Sequence, residues 1–213
     1  NYARERFQGK DLLKMRDDSA PSVPIIHHPD VRRQLISMKV YIEGIRSLLY
    51  YVSLCVDKIK ITEDAEEKDK FQGIIDVLIP IAKGYATDRA FEVCSTGVQI
   101  YGGYGYIKEY PVEQLLRDCR ITMIYEGTNG IQAMDLLGRK LGINRGKPFM
   151  VFRVKWQKSL PGAKSVSGLE NLAVKVEEVV NKVGEVALHM GTTAMSPKFM
   201  NAFAFAHPFM EVT

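Results

Sequence analysis

The chain has 213 residues, 46% of them hydrophobic, which suffices for one medium domain, or a domain with an appendage, around a real core. A formal net charge of +4, with lysines and arginines scattered among acids, gives no nucleic-acid patch. Cys55, Cys94 and Cys119 form an odd set in apolar or helical contexts, which points to free thiols rather than a disulfide framework. No apolar run reaches membrane-spanning length and the start of the chain lacks signal-peptide character. The first residue is not methionine and lies in what reads as a helix, so a targeting segment could precede it. A bacterial origin would place the protein in the cytoplasm, and a mitochondrial location stays open.

In chain order, a loop ends in His27-His28-Pro29, with Asp30 as a cap for the first long helix. Val31, Leu35, Met38, Ile42, Ile45, Leu49, Val52, Val56 and Ile59 then recur in steps of three and four, predicting that this helix is long and amphipathic. After the charged stretch 62–68 a second helix carries Phe71, Ile74, Leu78, Ile81, Tyr85, Val93 and Val98, with a kink or a delayed start expected at Pro80. A third helix should run from Pro111 to about Ile121, and a fourth from Thr128 to about Leu141, where Gly142 can end it. The expected fold is all-α: an up-and-down four-helix bundle over residues 1–143, with a helical extension over 144–213. Within the extension, Phe149–Trp156 is short enough for one helix and Leu160–Ala163 reads as a boundary. Leu169, Leu172, Val176, Val179, Val183, Val186 and Met190 mark another helix, ended near Gly191.

Two segments carry chemistry. Tyr125-Glu126-Gly127-Thr128-Asn129-Gly130-Ile131-Gln132 comes after an apolar stretch, so Glu126 should sit where ionisation is costly, as suits a proton-abstracting base. Gly127 permits close approach, and Thr128 can cap a helix whose first N–H groups face an anion or polarised oxygen. An ordinary loop carboxylate before a Thr-capped helix gives the same spacing. Upstream, Gln99-Ile100-Tyr101-Gly102-Gly103-Tyr104-Gly105 has three glycines in four positions, which serve either a tight interhelical turn or close approach to a nucleotide. The adjacent His27 and His28 have no Cys, Asp or Glu at ligand spacing, so no metal site is assigned. Arg117-Asp118 reads as a salt bridge supporting the loops.

Taken together, Gln99 to Gly105, Glu109-Tyr110-Pro111, Arg117-Asp118 and Ile124 to Thr128 resemble the C-terminal domain of flavin-dependent acyl-CoA dehydrogenases. The resemblance runs to about Leu141 and includes the opening Tyr2 to Gly9. It implies that Glu126 is the base removing the α-proton of an acyl-CoA, and that its backbone N–H bonds the thioester carbonyl. It also implies FAD as cofactor, with Gln99, Gly102 and Gly103 at its adenosine or pyrophosphate, Arg6 at the pyrophosphate and Thr128 at a flavin phosphate. Gly130 departs from the family, many members having glutamine there. The extension resembles the longer members, among them those related to 3-methylmercaptopropionyl-CoA dehydrogenase.

By the same resemblance the partners are an acyl-CoA substrate, electron-transfer flavoprotein and further copies of the chain. The family also uses an N-terminal helical domain and a central β domain, so the chain alone is expected to be inactive and to hold FAD weakly. A helical binding or oligomerisation module of the same fold, DNA-binding in some relatives, is the alternative; Glu126 and the lack of a basic run count against it.

Overall fold

The computed structural model describes all residues, 1–213. The chain is all-α apart from one short hairpin. α1 is Tyr2–Glu5, β1 Phe7–Lys10 and β2 Ser22–Pro24, succeeded by the long helices α2 (Pro29–Ile61) and α3 (Ala65–Tyr101). A helical turn α4 (Gly103–Tyr106), α5 (Val112–Arg120) and α6 (Asn129–Asp135) come next, and α6 continues into a π-turn over Leu136–Lys140. The extension forms α7 (Lys147–Lys164), α8 (Glu170–Ala194), α9 (Phe199–Ala204) and α10 (Ala206–Val212). All helices of the expected bundle are therefore present, and no helix is long and apolar enough to cross a membrane.

The backbone falls into two compact units, the first made of Asn1–Ser47 and Thr87–Ile124, the second of Leu48–Ala86 and Tyr125–Thr213. In the first, Ala3, Ile25 and Ile100 are buried, with Tyr2, Val31, Leu35 and Met38 packed around them. β1 and β2 pair antiparallel, Phe7 opposite Pro24 and Lys10 opposite Ser22, a ladder too short to show as an alternating pattern. His28 closes this corner, its Nε2 lying 2.7 Å from the Gln8 carbonyl oxygen. α3 and α5 approach closely at Gly97, where an added Cβ would lie 3.2 Å from Val112 Cγ2.

The second unit has the larger core. Ile74, Val77 and Leu78 of α3 and Ala133, Leu136 and Leu137 of the α6 region share it with Phe149, Ala187, Met190, Phe209 and Met210 of the extension. Lys140 and Asp76, both partly buried, pair at 2.8 Å across this core's edge. Pro80 does not delay α3, which begins fifteen residues earlier at Ala65 and runs unbroken through the buried proline. A missing N–H costs one bond, and helix on either side with core packing of Leu78 and Ile81 outweighs it. Pro161 likewise lies inside α7, so the expected boundary at 160–163 falls in the helix, one residue past the buried Leu160. The chain turns only at Ser165, whose N–H reaches the carbonyls of Pro161 and Gly162.

The three cysteines are free thiols. Burial, with the Cys119 thiol beside it, pushes Cys94 from its ordinary 9.0 up to about 11. Between those values the unfolded chain has released a proton that the folded chain still holds, so stability falls as pH rises through that window. Thermal melts from pH 8 to 11 should show a falling Tm, and Cys94→Ala should make the fall shallower.

Candidate active site

The second unit holds Glu126 and Thr128. After α5 the chain makes a 3-10 turn over Ile121–Met123 and passes through Ile124 and Tyr125, both about half exposed. Glu126 then takes φ 53 and Gly127 φ 88. Left-handed backbone is ordinary for glycine but costs a glutamate roughly 1–2 kcal/mol, so Glu126 stays there only because its surroundings hold it. Glu126 is exposed in this chain, and so are Ile124, Tyr125 and Ile131, the apolar residues near it in sequence. The apolar neighbours expected from sequence are present but do not enclose it. The Glu126 N–H donates to no group of the chain, whereas its carbonyl accepts from Gln132 Nε2 at 3.3 Å.

Thr128 caps α6 as expected, its Oγ1 accepting the Ile131 N–H at 3.3 Å. The hydroxyl proton remains available to donate outward. Next to it Asn129 is 4% exposed. Its Oδ1 accepts from Lys83 Nζ at 2.6 Å and its Nδ2 donates to the Gly84 carbonyl at 3.3 Å, tying the start of α6 to α3. The sequence pattern alone assigns no role to Asn129 or Gln132. The partner of Asn129 lies 46 positions away, and helical periodicity carries no signal for a polar cross-contact of that kind.

The first unit collects Arg6, Gln99, Gly102 and Gly103. The Arg6 guanidinium sits 5.3 Å from the centre of the Tyr104 ring and makes no ion pair within the chain. Tyr2 stacks on Tyr101 with ring centres 4.1 Å apart and donates from its hydroxyl to the Tyr101 carbonyl. Tyr110 meets both rings edge-on. These aromatic contacts fix the first helical turn against the glycine loop and so place Arg6 there. Gly102, at φ 62 and ψ −141, occupies backbone space reserved for glycine. Gly105 is needed sterically, since a Cβ there would collide with the Val98 carbonyl and Tyr101. Gly103 has neither constraint: its φ is ordinary and an added Cβ would meet nothing within 4 Å. The chain's own packing therefore does not require glycine at that position.

Gln99 lies on a polar cavity of about 410 Å³ between α2 and α3, shared with Arg33, Gln34, Tyr41, Glu92 and Thr96. Gln34 Oε1 is buried in its wall without a donor, a costly state that a ligand N–H would relieve. Arg117, expected to pair with Asp118, instead binds Glu113 one turn back on α5 at 2.8 Å. Spacing explains it: i and i+4 share a helix face, whereas i and i+1 do not. The Arg117 hydrogen bond holds the Glu113 carboxyl below its usual range.

A family model described as acyl-CoA dehydrogenase, C-terminal domain, matches residues 13–141. The chain is 46% identical over 141 residues to a 3-methylmercaptopropionyl-CoA dehydrogenase of Ruegeria pomeroyi, an alignment covering 66% of this chain and 23% of that protein. It is 39% identical over 147 residues to a broad-specificity linear acyl-CoA dehydrogenase of Mycobacterium tuberculosis, covering 68% and 24%. Among solved structures, Caenorhabditis elegans ACDH-11 in complex with C11-CoA has a TM-score of 0.76 at 20% identity, over 99% of this chain and 34% of that one, a likeness of fold. The chain spans about a quarter of the length of the curated relatives it matches.

The two adjacent glycines should respond differently to alanine. Gly102→Ala forces a side chain into left-handed backbone and should lower unfolding free energy by about 1–3 kcal/mol. Gly103→Ala should stay within about 0.5 kcal/mol of the parent, as for other unconstrained surface positions. Denaturant melts of the two variants side by side measure the difference.

Proposed function

This chain belongs to the acyl-CoA dehydrogenase family, whose C-terminal domain it carries over residues 13–141, and from that membership we propose that Glu126 is the base of an acyl-CoA α,β-dehydrogenation. The product would be a trans-2-enoyl-CoA. The observation that supports the reading is the left-handed backbone at Glu126 together with an N–H that has no partner in the chain, which would leave both the carboxylate and the N–H to one substrate. The carboxylate takes the α-proton. The N–H donates to the thioester carbonyl oxygen, where negative charge grows as that proton leaves, and a donor already in place there lowers the barrier. A bound FAD would supply the acceptor for the hydride leaving the β-carbon.

The chain's residues suit such a cofactor. Arg6 is a cation with an aromatic face behind it and no acid partner, fitted to a pyrophosphate. Gly102 and Gly103 leave open space for adenosine or pyrophosphate, and the exposed Gln99 borders the polar cavity. Thr128 accepts the Ile131 N–H while keeping a hydroxyl proton to donate to a flavin phosphate.

Residues 1–143 form the family's bundle in this reading and 144–213 an added helical extension, a division supported by the end of the family match at residue 141. Just beyond it, Asn144, Arg145 and Gly146 all have positive φ, a turn at the junction. The remaining domains of the relatives would supply the rest of the flavin site and the acyl pocket. The family resemblance points to electron-transfer flavoprotein as electron acceptor and to a homo-oligomer as the working state.

In the full-length enzyme carrying this domain, Glu126→Gln should keep FAD bound and slow flavin reduction by acyl-CoA by at least about 10²–10⁴-fold, the usual worth of a general base. Single-turnover bleaching of the flavin absorbance measures it. Reduction at the parent rate would remove Glu126 from the base role.

A further inference from the structure

Three contacts surround the bend at Glu126, and each comes from a different residue. Gln132 Nε2 donates to the Glu126 carbonyl at 3.3 Å. The same nitrogen lies 3.1 Å from where a Cβ on Gly127 would stand, so the Gln132 amide spans the whole left-handed pair from one turn inside α6. Thr128 Oγ1 closes the cap on Ile131. Asn129 then anchors the cap to α3 through Lys83 and the Gly84 carbonyl. Asn129 is the one buried polar residue of the chain, and a half-buried lysine cation is spent on its oxygen. A loop that only joined two helices would not need a donor on the carbonyl of its strained residue.

We propose that Gln132 is a positioning residue for proton abstraction, holding the Glu126 peptide in its left-handed conformation, and that the Asn129–Lys83 contact is the fixed point from which it does so. The inference rests on Glu126 being the base. Rotation of Glu126 to ordinary φ would move its carboxylate relative to its N–H, and the two would no longer meet the α-proton and the thioester oxygen of one substrate. Near-attack geometry is sensitive to displacements of about 1 Å, for which losses near 10²-fold are typical. Gln132 suits the role because its amide reaches back over the bend, whereas a helix N–H could not. The binding of the acyl-CoA should be little affected, since Gln132 touches the peptide of the base.

The test uses the full-length enzyme with Gln132→Met, which keeps side-chain length and removes the donor, and Gln132→Lys, which keeps an N–H donor of similar reach. Gln132→Met should lower kcat for acyl-CoA oxidation about 10- to 100-fold with KM within about twofold and flavin content unchanged. Gln132→Lys should recover most of that loss, which a role in packing alone would not give. Should Gln132→Met fail to retain flavin, Lys83→Met, which removes the donor to Asn129 Oδ1, supplies the second reading: a kcat loss at unchanged KM supports the proposal, and parent kcat overturns it. Glu126→Gln is measured alongside. If that variant loses flavin reduction while Gln132→Met turns over at the parent rate, the positioning role falls and the base stands. If Glu126→Gln reduces flavin normally, the base reading itself falls.

Discussion

The contact on which the candidate site depends is the one between Lys83 and Asn129. Burying an amide is tolerable only when its donor and acceptor are both met, and Asn129 meets them with a lysine ammonium at 2.6 Å and a helix carbonyl at 3.3 Å. Each half of the contact is held in turn by apolar packing. Lys83 comes directly after Ile81 and Ala82 on the buried face of α3, and Asn129 precedes Ala133, Leu136 and Leu137 of the same core. The start of α6 is thereby fixed by the most densely buried part of the second unit, and the strained Glu126 is three residues upstream of that fixed point. Removing the core would leave the loop free to relax to unstrained backbone.

The extension takes part in the same packing. Phe149, Met190, Phe209 and Met210 lie in one core with Ile74, Leu78 and Leu136, so the residues after 143 help to bury the helices that present the site. Small residues allow the close approaches involved: a Cβ on Gly73 would crowd the Pro148 ring and one on Gly138 the Phe203 ring, each at 2.9 Å. Of the extension's helices, α8 is legible from its apolar stripe and α7 in part, whereas the short α9 and α10 are not. Their share in the core depends on these side-chain fits, which a one-dimensional pattern does not contain.

Much of the fold could be read from apolar spacing. The stripe from Val31 to Ile59 became α2, and that from Phe71 to Val98 became α3, because about 30 residues of consistent period outweigh any local irregularity. Local rules did less well where tertiary packing intervened. Pro80 reads as a kink or a delayed start and Leu160–Ala163 as a boundary, yet α3 begins well before Pro80 and Pro161 lies inside α7, both prolines near buried leucines. The β1–β2 hairpin is not legible in sequence because four and three residues carry too little pattern. Leu136–Lys140 winds as a π-turn, with the Leu141 N–H reaching the Leu136 carbonyl at 2.9 Å, where a plain continuation of α6 was expected. At the site, Glu126, Thr128 and the glycines stood out by residue type and order. Lys83, Asn129 and Gln132 did not, since what distinguishes them is whom they touch.

If Glu126 removes the α-proton of an acyl-CoA, exchange of that proton with solvent isolates this step from hydride transfer. The measurement is deuterium incorporation at the α-carbon of a β-blocked acyl-CoA analogue, which cannot be dehydrogenated, incubated in D₂O with the full-length enzyme or its Glu126→Gln variant. Exchange by the parent enzyme and none above background by the variant is the expected result. Equal exchange by both would contradict a base at Glu126.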